Sequence, residues 1–361
     1  MEQKKVPPPL IHGGDWVGYQ EEYGTLPLDF SSNISPFGLP SGIRAAVERS
    51  LADADRYPDP LCRELRGAIA EAEGVDAAWC LCGNGAADLI YRAVLAKRPK
   101  RALVTAPAFA EYEAALELLS CRVGHYALNA ENGFVIDQDF LNAITPDMDM
   151  VFLCEPNNPT GRTTPRALLL EVLERCREVG ALLVVDECFG DFLDDPAAHT
   201  MKGFLPEYGN LLILKAFTKL YAMAGVRLGY CLCSDSRFLE KVSRSGQPWA
   251  VSTLAQAAGI AALQEQKSVE AVRALTARER PWLQAELSAL GFPVIPGEAN
   301  YLLFSSPVPL LEPLRRRGIL LRGCGNYRGL GDEWYRTAVR THEENQRLIS
   351  TLKEVLREET K

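Results

Sequence analysis

The sequence contains no apolar run long enough to span a membrane. Its first residues, MEQKKVPPPL, lack the apolar centre of a secretory signal. Both absences set the expectation of a cytoplasmic chain. No internal repeat or low-complexity tract interrupts the 361 residues. Basic blocks are missing too. The longest, Arg315 to Arg317, falls in an amphipathic helical pattern, and the net charge is -8. Nucleic acid is therefore not an expected partner, because nucleic-acid binders concentrate Lys and Arg on one face. The C-x-x-C pairs favoured by structural zinc are absent as well. The ten cysteines instead include two C-x-C pairs, Cys80/Cys82 and Cys231/Cys233, inside strand-like runs. They read as small buried hydrophobes in a reducing compartment, and no metal is expected.

What remains is ordinary for a soluble enzyme: 47% apolar and 24% charged residues. A chain of this length is expected to split into two domains. Strand-like runs occur at 78–83, 101–107, 149–156, 181–187, 211–217 and 227–233, with helical patterns at 41–53, 61–73, 85–97, 109–119 and 164–178. This alternation predicts an α/β fold, a mostly parallel central sheet covered by helices. Such sheets collect ligands beyond the carboxyl ends of their strands. After about residue 245 the pattern changes to long helices at 252–266 and 268–290, then short strands in YLLFSS, GILLR and YRTAVR, then a helix over 343–358. The expected organisation is an N-terminal arm (1–45, with a Pro7–Pro9 tract), a large domain (46–245) and a smaller α+β C-terminal domain (246–361).

Two stretches carry chemistry. In ALLVVDECFGDF, a buried-strand pattern runs straight into Asp186 and Glu187. An acid at the end of such a strand is costly unless it meets a cation. In LLILKAFTKLYAMAGVRLGY, Lys219 follows an apolar strand and precedes a second cation, Arg227. A lysine in a low-dielectric cleft near other cations has its ammonium disfavoured, so its amine can attack an aldehyde.

KAFTKLYAMAGVRLGY resembles the lysine motif of fold-type I pyridoxal-phosphate (PLP) enzymes of the class I/II aminotransferase family. YPDP (57–60), GNGAAD (83–88), PAFAEY (107–112), EPNNPTG (155–161), DECF (186–189) and YRTAVRTHEEN (335–345) follow that family's order. The resemblance implies PLP as cofactor and gives each residue a role. Lys219 would bind the cofactor covalently and later move protons, and Asp186 would pair with its pyridine nitrogen. Asn158 would hydrogen-bond the ring's O3′, and Phe109 would stack on the ring. Gly85 and Ala86 would offer backbone N–H groups to the phosphate, with Arg227 adding charge. Many relatives carry a Ser three residues before the lysine. Here that residue is Ala216, and Thr218 is the expected substitute. Tyr57 would reach the phosphate from a neighbouring subunit, which implies a homodimer with shared sites. Arg336 would clamp a substrate carboxylate. Glu187 and Arg340 receive no role.

Two branches of the family fit the length, histidinol-phosphate aminotransferases and L-threonine-O-3-phosphate decarboxylases. Both act on small phosphorylated amines. Four features are similar to the decarboxylase branch: IHGGD followed by LDFSSNISPFG, GNGAAD, ILLRGCGNYRGL, and Phe189 where the aminotransferases usually have Tyr. They imply that His12, Gly13, Asn33 and Arg322 bind a substrate phosphate. The expected reaction is decarboxylation of threonine phosphate to (R)-1-amino-2-propanol O-2-phosphate, a step of cobalamin biosynthesis.

Overall fold

The computed structural model describes residues 12–359, so the Pro7–Pro9 tract lies outside the described residues. A short strand in the arm, β1 (Leu28–Asp29), precedes a seven-stranded sheet. That sheet comprises β2 (Cys80–Gly83), β3 (Arg101–Ala106), β4 (Arg122–Ala127), β5 (Met150–Cys154), β6 (Leu182–Asp186), β7 (Leu211–Ala216) and β8 (Gly229–Leu232). The order is β2-β8-β7-β6-β5-β3-β4, parallel throughout except for β8, which is antiparallel to both neighbours. Every residue of β5 and β6 is buried, as strands covered on both faces require. β4 has no counterpart in the strand-like runs above. It is an edge strand without a fully buried residue, so it carries no apolar run.

A second sheet follows, built from β9 (Val294–Ile295), β10 (Tyr301–Ser305), β12 (Arg322–Gly323) and β13 (Trp334–Ala338) in the antiparallel order β12-β13-β10-β9. GILLR was expected as one strand, but it splits. Its first half, β11 (Ile319–Leu320), pairs in parallel with β1 of the arm, and Arg322 opens β12. The smaller core accordingly takes in Phe30 from the arm beside Leu302, Phe304 and Leu348.

A boundary at residue 246 also needs correction, because the helix Thr253–Ala262 packs on Ser41–Ser50 and Arg63–Glu73 in the large core. Its Ala255, Ala258, Gly259 and Ala262 face permits that approach: a Cβ on Gly259 would lie 2.5 Å from Leu228. The chain crosses to the smaller core along the next helix, Gln266–Ala289, whose Leu283 and Leu287 lie there. YRTAVR was expected as one short strand. The strand ends at Ala338, and Arg340 instead donates to the Asp29 carbonyl and to Glu344. Likewise Arg315 to Arg317 lie at and just past a short helix (Leu311–Arg315), paired with Glu22, Glu312 and Glu358. All ten thiols are free, nine of them buried. Among the described residues no helix is long and apolar enough to cross a membrane.

Candidate active site

The parallel strands all end at one edge of the sheet, so whatever follows each strand meets there. Asp186 is the last residue of β6. Phe109, Asn158 and Lys219 follow β3, β5 and β7 by a few residues, and the helix Gly85–Lys97 begins two residues past β2. Because β8 runs the opposite way, it enters from that same edge, and Arg227 just ahead of it joins the group. These loops enclose a cavity of about 340 Å³. His12, Gly13, Asn33, Ala86, Phe109, Asn158, Asp186, Thr218, Lys219, Arg227, Arg322 and Arg336 all line it. Of the singled-out residues only Gly85 and Tyr57 do not. Gly85 lies just behind the wall, with a left-handed φ of 82° and no room for a side chain: a Cβ would lie 2.8 Å from Arg227 Nη2. Tyr57 is 80% exposed and stacks on Trp249 with ring centroids 4.5 Å apart.

Lys219 is half-buried, and its amine is shifted down to about 8. Desolvation is the main cause, reinforced by Arg336 and Arg227, while Cys188 and Asp186 pull the other way. Asp186 is buried, accepting from the Tyr112 hydroxyl at 2.6 Å and the Cys188 N–H at 3.0 Å. Tyr112 in turn stacks on Phe152 and meets Phe109 edge-on, so its hydroxyl is aimed by packing. Burial and the Asp186 carboxylate push the Tyr112 phenol well up, which keeps it a donor.

Arg336 is also buried. It donates to Asn158 Oδ1 and, at 2.9 Å, to the Ser31 carbonyl, and its Nε has no partner among the described residues. Arg322 is buried over the face of Tyr327, with Cζ 5.3 Å from the ring centroid. Asn33 is 1% exposed, yet neither its amide nitrogen nor its oxygen has a partner among the described residues. Such an amide at a cavity wall has donors and an acceptor to offer a ligand.

The arm closes over the cavity through two ties. A Cβ on Gly13 would lie 2.5 Å from the Ser31 carbonyl oxygen, and the Gly14 N–H donates to Ser31 Oγ at 2.8 Å. His12 Nε2 lies 2.7 Å from Glu111 Oε1, and Glu111 also accepts from the Tyr91 hydroxyl at 2.7 Å. Glu111, Tyr112 and Tyr327 were absent from the sequence-derived set. The only sequence signal for the first two was their place one turn past Phe109 in PAFAEY. Phe189 packs edge-on against Tyr301 and lies under the Lys219 ammonium, with Nζ 5.8 Å from the ring centroid.

Glu187, next to Asp186, points to the other face of the sheet. It accepts from Thr200 Oγ1 at 2.7 Å and the Met201 N–H at 2.8 Å, so it anchors the segment after β6. Burial raises its pKa, and Lys215 partly offsets that rise.

The donor set fits PLP. A helix N-terminus with Gly85 and Ala86, beside the Arg227 guanidinium, matches a phosphate. A half-buried amine shifted toward neutrality matches an aldehyde, and a buried carboxylate facing the cavity matches a protonated ring nitrogen. The cradle is tight: a Cβ at Gly229 would lie 2.6 Å from the Ala86 nitrogen and 2.8 Å from the Gly85 carbonyl carbon. Gly229→Ala is therefore expected to push the helix start out of place. Overpacking of this kind costs about 1–3 kcal/mol, read here as a loss of PLP affinity of about tenfold or more in an equilibrium titration.

The family profile for aminotransferase class I and II matches residues 27–352. The chain belongs to that family. It is 36% identical to the threonine-phosphate decarboxylase of Salmonella typhimurium over 355 residues, 96% of each chain. It is 35% identical to the histidinol-phosphate aminotransferase of Symbiobacterium thermophilum over 358 residues, 97% of this chain and 96% of that one. Among solved structures, the histidinol-phosphate aminotransferase of Sinorhizobium meliloti in complex with pyridoxal-5'-phosphate superposes with a TM-score of 0.85 at 21% identity, covering 99% of this chain and 98% of that chain. The fold is thus the type I PLP-dependent transferase fold, as the motif order had implied.

Proposed function

We propose that this family member is a PLP-dependent decarboxylase that converts L-threonine O-3-phosphate to (R)-1-amino-2-propanol O-2-phosphate. The observation that carries the reading is the pair of buried arginines at one small cavity, Arg322 against the Tyr327 ring and Arg336 beside the Tyr327 hydroxyl. Two buried cations suit one small molecule with two anionic ends, a phosphate and a carboxylate. The likeness to a threonine-phosphate decarboxylase supports the same choice.

When bound, PLP supplies an electron sink for the bond broken at the substrate's Cα. The protein decides which bond that is. Arg336 and Asn158 would hold the substrate carboxylate. His12, Gly13, Asn33 and Arg322 would grip the phosphate. Cleavage of the Cα–carboxylate bond would release CO2, and Lys219 in its ammonium form would deliver a proton to Cα in place of the carboxylate. Asp186, held by Tyr112, would keep the ring nitrogen protonated, and Phe109 and Thr218 would complete the cofactor's surroundings. Tyr57 of the partner subunit would complete the phosphate site in a homodimer. The same reading makes the chain a cytoplasmic enzyme of cobalamin biosynthesis.

The test is to incubate holoenzyme with carboxyl-labelled O-phospho-L-threonine and count released CO2. A parallel arm supplies O-phospho-L-serine, which differs by a methyl group worth roughly 1–3 kcal/mol of discrimination. The second reading, an aminotransferase, is favoured by the nearly equal identity to a histidinol-phosphate aminotransferase. It prevails if histidinol phosphate with 2-oxoglutarate yields glutamate while phosphothreonine yields no CO2.

A further inference from the structure

Tyr327 lies in the turn after β12 and is 8% exposed. Its backbone is held on both sides: its N–H donates to the Cys324 carbonyl at 2.9 Å, and its carbonyl accepts from the Leu330 N–H at 3.1 Å. The Arg322 guanidinium lies over its ring. The side chain therefore has little freedom, and the hydroxyl is delivered to one place on the cavity wall. There it stands 3.5 Å from Asn158 Oδ1 and 3.5 Å from Arg336 Nη1. Both distances are at the outer limit, far from the roughly 2.7–2.8 Å of a well-made O–H···O bond. Asn158 Oδ1 is already engaged by Arg336 at closer range. A phenol withdrawn from water without a good acceptor is costly, so the geometry calls for an acceptor supplied by a ligand. An acceptor that also suits the guanidinium of Arg336 is an anion of the carboxylate class.

We propose that Tyr327 is a second ligand of the substrate carboxylate, its hydroxyl donating to the group that Arg336 holds. This deepens the decarboxylase reading and rests on its placement of the carboxylate at Arg336. Arg336 alone fixes where the carboxylate sits. A second donor from a different direction, on the turn rather than on β13, also fixes its rotation relative to the rest of the substrate. That rotation determines which bond at Cα stands perpendicular to the cofactor plane, so Tyr327 governs the choice between CO2 loss and amino-group transfer.

The experiment uses Tyr327→Phe in full-length holoenzyme, which keeps the ring under Arg322 and removes only the hydroxyl. Two amine-free probes that cannot react are titrated calorimetrically: 3-hydroxypropionate 3-phosphate, which bears a carboxylate, and propyl phosphate, which has a methyl group in its place. The expected result is an affinity loss of about tenfold for the carboxylate probe and none for propyl phosphate. With phosphothreonine, the ratio of amino transfer to CO2 release is expected to rise. Equal loss for both probes, or no loss for either, overturns the proposal. So does a wild type that binds the carboxylate probe no better than propyl phosphate. A wild type that passes the probe test but releases no CO2 refutes the decarboxylase reading and leaves the carboxylate contact standing.

Discussion

Lys219→Ala is expected to lose the visible absorbance of covalently held PLP and to lower turnover by about 10³-fold or more, because in the proposed reaction one side chain supplies both the nucleophile and the proton carrier. Reversible PLP binding should survive, since Gly85, Ala86 and Arg227 are untouched, and gel filtration with excess PLP would show it. The wild type adds a pH signature. With its amine shifted down to about 8, Lys219 is mostly neutral above that pH and mostly ammonium below it. The rate at which apo-enzyme captures PLP should rise with pH up to about 8 and then level off. An ordinary lysine would keep gaining up to about 10.4. A capture rate still climbing steeply between pH 9 and 10 would refute the burial argument, as would a Lys219→Ala variant that retains turnover.

Lys215→Met is expected to cause the largest loss of stability. Lys215 is buried behind the active site, on the strand that leads to Lys219. It lies 3.1 Å from both Glu73 Oε1 and Asp191 Oδ1, and Lys202 and Tyr230 also bond to Glu73. Removing the central cation leaves the buried Glu187 carboxylate and the half-buried Glu73 and Asp191 facing one another, at a cost of about 3 kcal/mol. The melting temperature should fall by about 5 °C or more. The pH dependence follows from Glu73. Burial pushes its pKa up, but Lys215, Lys202 and Tyr230 more than reverse this and bring it to about 2, from a usual value of 4.5. Its contribution is therefore fully present above pH 4.5 and drains away as pH falls toward 2. The gap between variant and wild type should be widest near neutral pH and shrink below pH 4.5. Equal melting temperatures at pH 7 would show that the network contributes nothing.

These two lysines illustrate how unevenly function was written in the chain. Lys219 stood out because it breaks an apolar pattern at a strand end, in company with Arg227 and a glycine. Lys215, four residues earlier in the same run, gave no sign that it pairs with Glu73 from a distant helix. Asp186 and Glu187 looked alike as consecutive acids. Only the alternation of side chains in the folded strand sends one to the cofactor cavity and the other to Thr200 and Met201.

The sequence by itself determined the alternating α/β architecture, the strand ends where polar residues gather, and the motif order that marks a PLP enzyme. The physical reason is that a strand buried on both faces must be apolar to its end, so a charge there is visible in one dimension. Only the tertiary structure decided the order of the strands, the split of GILLR between two sheets, and the passage of Thr253–Ala262 into the large core. It alone brought Tyr112 to Asp186, Glu111 to His12 and Tyr327 to Arg336 and Asn158. Those contacts join residues from separate elements. Such pairs leave no periodic trace in a single chain, and their distances are set only once both elements are packed.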